Sequence, residues 1–98
     1  MKLTMSNLVE CFKKAKEHDY TYVGVKIAME GFPNPEVIIN SKGNFDKKLE
    51  YYQNAYNDDL TLKSFNGIKI IGFTYGDDFD SIEYDLPMPR PPINIYKK

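Results

Sequence analysis

The chain has 98 residues, 42% apolar and 28% charged, with a formal net charge of −1. That length and balance describe one globular domain of modest stability, and they leave no bulk positive charge to draw it to nucleic acid or an acidic membrane. One His, one Cys and no Trp stand beside eight Tyr and six Phe, so the chain is poor in acid–base and metal chemistry and rich in rings suited to cores and contact surfaces.

Cys11 is the sole cysteine, so no internal disulfide can form and a reducing compartment fits. The first residues carry no long apolar run and no small-residue cleavage site, which argues against a signal peptide. No stretch approaches the roughly 20 apolar residues that span a bilayer. The expected location is the cytoplasm.

Met5, Leu8, Val9, Phe12 and Ala15 recur at helical spacing, which predicts a helix over residues 6–18, capped by Ser6 or Thr4. The segment YTYVGVKIAM, residues 20–29, then alternates with period two. Val23, Val25, Ile27 and Met29 face one way and Tyr22, Gly24, Lys26 and Ala28 the other, as in a strand with one buried face. GFPNPE makes a rigid loop, and EVIIN a short antiparallel strand. Asn44 is a good cap for a second helix whose stripe is Phe45, Leu49, Tyr52, Ala55 and Tyr56, with Asp58 and Asp59 as closing turn residues. LTLKSF and IKIIGFTY flank Asn66-Gly67, the preferred pair for a type I′ turn, so a hairpin centred there is expected over residues 60–75.

The order α-β-β-α-β-β predicts an α+β domain, two helices on one face of a four-stranded, mainly antiparallel sheet. DDFDSIEYD could add a short helix with Phe79, Ile82 and Leu86 turned inward. The Pro-rich LPMPRPP excludes helix or central strand and is expected to be extended. The domain is therefore placed at residues 1–85 and an arm at residues 86–98.

Candidate sites divide into two sets. The first is Asp77, Asp78, Asp80, Glu83, Tyr84 and Asp85, with Arg90 on the arm, as a contact surface for a basic partner. A calcium loop fails here, because its sixth and twelfth positions would be Glu83 and Pro89 rather than Gly and Glu. The bland alternative is a solvated acidic turn. The second set is Tyr51, Asn54, Lys69 and Tyr75, which could stack and pair with a nucleotide; its bland alternative is core plus scattered surface rings. Cys11 and His18 could share a helix face but lack the orienting group and oxyanion site of a nucleophile pair. No catalytic, metal or cofactor set emerges.

YVGVKIAMEGFPNPEVIIN, NFDKKLEYYQNAYNDDLTLK and IKIIGFTYGDDF together resemble a family of small uncharacterised proteins of Firmicute bacteria and their phages or prophages. The resemblance implies the cytoplasm of a bacterial host cell and carries no activity. The leading expectation is a non-enzymatic binding protein, such as a phage-encoded inhibitor of a host defence system acting by protein contact. The alternatives are a nucleotide-signal sponge working as a homo-oligomer, and a structural homo-oligomer with a swapped C-terminal arm.

Overall fold

A computed structural model describes residues 2–86. The elements are α1 (Met5–Glu17), β1 (Tyr22–Met29), β2 (Glu36–Ser41), α2 (Phe45–Ala55), β3 (Thr61–Leu62), β4 (Phe65–Gly76) and α3 (Phe79–Asp85), with a 3-10 turn over Lys42–Asn44 before α2. The four strands form one antiparallel sheet in the order β2-β1-β4-β3. The α+β class and the predicted order are those observed.

Thr4 caps α1, its Oγ1 accepting from the Asn7 N–H at 3.2 Å. Asn44 makes no side-chain cap bond; the 3-10 turn leads the chain into α2 instead. The core lies between the two long helices and one face of the sheet. Leu8, Phe12 and Ala15 of α1, Phe45 and Tyr52 of α2, Val23 and Val25 of β1, and Ile70 and Phe73 of β4 are almost fully buried. Phe12 is its hinge, with its ring 5.6 Å from Phe45 edge-on and 6.1 Å from Tyr52. The predicted β1 stripe holds at Val23 and Val25 and fades outward, Met29 being exposed.

The expected hairpin at Asn66-Gly67 is not formed. The reversal falls at Lys63 and Ser64, with Leu62 opposite Phe65, and Asn66-Gly67 lies inside β4. A type I′ turn needs positive φ at both central residues, yet the positive-φ residues described are Asp19, Gly31 and Leu60. Pairing with β1 decides the matter. The Glu30 N–H donates to the Gly67 carbonyl at 2.7 Å, extending the β1–β4 ladder through the Asn-Gly step. Long-range pairing overrides the local turn preference. A Cβ on Gly67 would meet the Phe65 ring at 2.6 Å, so glycine serves close packing there.

Candidate functional site

The surface of most chemical interest is built by α3. Seven residues are too few for a stable isolated helix, so its existence depends on docking. Asp78 caps it, with extended backbone and a carboxylate accepting from the Ser81 N–H at 2.8 Å. Ile82 and Leu86 turn inward and are buried. They lie on the sheet face opposite the main core, over Gly24 of β1 and Gly72 and Gly76 of β4. A Cβ on Gly24 would overlap Ile82 Cγ2; one on Gly72 would stand 3.0 Å from Leu86 Cδ2, and one on Gly76 3.0 Å from Ser81 Cβ. These glycines are a cradle that lets a helix settle on the sheet.

Two acids pin it, Asp77 just before the helix and Asp85 at its last position. Asp77 Oδ1 accepts from the Thr21 N–H at 3.1 Å and from Thr21 Oγ1 at 3.2 Å. Asp85 Oδ2 accepts from Thr74 Oγ1 at 2.8 Å. Of the predicted acidic set, then, Asp77, Asp78 and Asp85 have local hydrogen-bonding roles. The bond from Ser81 holds the Asp78 carboxyl below its ordinary value. Asp80, Glu83 and Tyr84 are exposed, Tyr84 to 86%. Arg90 lies outside the described residues.

Phe79 does not turn inward as expected. It is 61% exposed and rests against the Tyr22 ring at 5.1 Å. At the start of the helix it sits beyond the glycine cradle, which receives Ile82 and Leu86. Between α3 and the edge strand β2 runs a cleft of about 280 Å³, lined by Val37, Ile39, Phe79, Ile82, Glu83 and Leu86. An apolar floor, an exposed ring and an acidic rim thus meet on one side of the molecule.

The second predicted set is not drawn together within one chain. Tyr51, half exposed, and Asn54 lie on α2, where Lys48 Nζ stands 5.3 Å from the centre of the Tyr51 ring. Lys69 pairs with Ala28 in the middle of β4, and Tyr75 pairs with Val23 near its end and stacks on Tyr20 at 4.7 Å. Six strand positions separate Lys69 from Tyr75, on the order of 20 Å.

Cys11 is buried in α1, and burial pushes its thiol up to about 12, the opposite of an activated nucleophile. The His18 ring meets Tyr20 edge-on. Among the described residues no group of three His, Cys, Asp or Glu could hold a metal ion, and no helix is long and apolar enough to cross a membrane. No family model, curated protein or solved structure matches this chain.

Sequence reasoning missed the glycine cradle and the groove beside it. Gly72, Thr74 and Gly76 alternate along β4 on one face, with Gly24 opposite Thr74. That spacing of strand glycines is a readable sign of close approach by another element.

Proposed function

We propose that this protein is a non-enzymatic binding module that grips another protein through the α3 face. The observation that carries this is the pair of exposed rings, Phe79 and Tyr84, on a pinned helix beside an apolar cleft rimmed by Glu83. Phe79 lines the groove and Tyr84 stands exposed on the same helix outside its lining; aromatic anchors of this kind often carry the binding energy of protein interfaces. Asp80 and Glu83 favour a partner surface with basic residues around an apolar knob. In the bacterial or phage setting that the sequence suggests, the proposed partner is a host protein, and the proposed role is inhibition of a host defence system.

The geometry favours this reading over a nucleotide sponge, because six strand positions separate Lys69, in the middle of β4, from Tyr75 at its far end. The test is affinity capture from a Firmicute host lysate with the unaltered chain and with a Phe79→Ser, Tyr84→Ser double variant. A stoichiometric protein held by the first and lost by the second is expected. Equal recovery by both, or none by either, would sink the proposal.

A further inference from the structure

We infer that the chain's own C-terminal segment, residues 93–96, closes the outer edge of β4 by pairing beside Phe73 and Tyr75. One hydrogen bond fixes which way the main-chain groups point. The Lys42 N–H donates to the Thr21 carbonyl at 2.9 Å, so Thr21 faces the β2 side. Alternation along β1, which pairs with β2 without a break, then turns Val23 and Val25 to β2 and Tyr22, Gly24 and Lys26 to β4. Gly76, Thr74 and Gly72 stand opposite those three and bond to β1. Phe73 and Tyr75, opposite Val25 and Val23, send their N–H and C=O groups away from it. A second bond agrees. Ile70, opposite Ile27, donates outward to the Leu60 carbonyl at 2.9 Å.

The outward groups of Phe73 are not in water. The residue is 2% exposed, main chain included, and a buried N–H or C=O is nearly always paired. The described neighbours bury Phe73 without pairing it. β3 supplies only Thr61 and Leu62, opposite Lys69 and Phe65, and ends short of this stretch. α1 runs alongside, with Asn7 and Cys11 in the wall of a cleft that Phe73 and Tyr75 also line. Its main chain is engaged within the helix, and Asn7 gives its side-chain amide to the Lys2 carbonyl at 2.8 Å. The partner therefore comes from beyond residues 2–86, where the chain has Met1 and residues 87–98. A single terminal residue cannot serve outward groups two positions apart.

The sequence of the tail says which part fits. Proline lacks the N–H that a ladder needs, and the last proline is Pro92. Ile93, Asn94, Ile95 and Tyr96 follow, alternating with period two and rich in residues that suit strands. The distance is short. Leu86, where α3 ends, lines one cleft together with Phe73 and Thr74, and the six residues before Ile93 can reach up to about 20 Å. The edge also calls for a cover. Edge strands are usually defended by charge, proline or an overlying segment, and the run from Ile70 to Gly76 has neither charge nor proline. Residues 93–96 then continue the line that β3 begins on the same side of β4. The tail is part of the sheet rather than a free arm for reaching a partner.

The test uses the full chain and reads amide exchange together with nuclear Overhauser contacts. The Phe73 and Tyr75 amides should exchange slowly, at a rate that does not change with protein concentration. Main-chain protons of Phe73, Thr74 and Tyr75 should show contacts to those of residues 93–96. A double variant, Asn94→Pro with Ile95→Pro, removes two main-chain donors from the tail. It should speed exchange at Phe73 and Tyr75 by roughly tenfold or more through local opening. The amides of Ile38 and Asn40, held in the β1–β2 ladder, should stay protected and show that the fold is intact. Slow exchange at Phe73 without contacts to residues 93–96 overturns the inference, because the partner then lies in α1 or in a held water. Fast exchange in the unaltered chain overturns it as well. Protection that grows with concentration assigns the edge to a second copy and equally refutes the tail.

Discussion

At Gly24 one hydrogen atom in place of a methyl group decides whether α3 can sit on the sheet. A Cβ there would overlap Ile82 Cγ2, and both residues are buried. Gly24→Ala should therefore destabilise the fold by about 1–3 kcal/mol, the usual cost of overpacking. Shortening the opposing side chain makes room, so adding Ile82→Ala should cost less than the two single changes combined. Urea titration of the four proteins checks this; strict additivity would show that the two side chains do not compete for space. Tyr52 poses a different residue-scale question. It is fully buried, and its hydroxyl and the Asn40 Oδ1 both lack a hydrogen-bond partner. Burial pushes its pKa up to about 12, the nearby Asn40 amide opposing part of the shift. The folded chain thus resists ionisation that the unfolded chain undergoes near 10. The stability from the neutral phenol is complete below pH 10 and is lost as pH rises through about 12. Tyr52→Phe should leave stability at pH 7 unchanged or slightly higher, by up to ~1 kcal/mol. It should also flatten the loss between pH 10 and 11, read by urea midpoints in an alkaline series.

At the scale of elements, the two long helices and the central strands were legible because each carries its period over three turns or eight residues. Asn66-Gly67 was misread because a dipeptide's preference is worth less than a ladder with β1, and that partner lies some forty positions away in sequence. The inward expectation for Phe79 failed for a related reason: which residues of a short helix turn inward depends on where the glycines lie beneath it. The inward turn of Ile82 and Leu86 was legible from their spacing, whereas the bonds that tie Asp77 to Thr21 and Asp85 to Thr74 depend on how α3 lies across the sheet and leave no mark in the sequence. The Asp78 cap yields a test of α3. Its carboxyl titrates below the ordinary 3.8 because the folded form holds the charge with Ser81. The stability it adds is present above that ordinary value and disappears as pH falls through the lower, folded one. Asn caps as well as Asp but does not titrate. Asp78→Asn should match the unaltered chain at pH 7 and lose less of its α3 amide protection on acidification to pH 3. Identical acid profiles would show that the cap charge does not hold the helix.

The whole molecule is one sheet with unequal sides, and the inequality predicts how it comes apart. One face carries two long helices and the ring cluster of Phe12, Phe45, Tyr52 and Tyr56; the other carries α3 on three glycines. Phe12 is fully buried and touches rings of α2, so Phe12→Ala should cost about 3–5 kcal/mol. A domain of this size holds only about 5–15 kcal/mol in total, and the two helices share that core, so the loss falls on everything at once. Ile82 anchors α3 alone. Ile82→Ala removes comparable buried area per atom but has a cheaper escape, since α3 can lift away while the sheet and the long helices keep their contacts. Far-ultraviolet circular dichroism and amide exchange separate the two cases. Phe12→Ala should lower the urea midpoint of every probe together. Ile82→Ala should speed exchange in α3 and at Thr21, whose N–H is held by Asp77, while amides of α1 and β1 from Val23 onward remain slow. Uniform loss of protection in the Ile82 variant would show that α3 is a working part of the single cooperative unit. The proposed binding face would then be as rigid as the core, and a partner gripping Phe79 and Tyr84 would stabilise the whole fold rather than one helix.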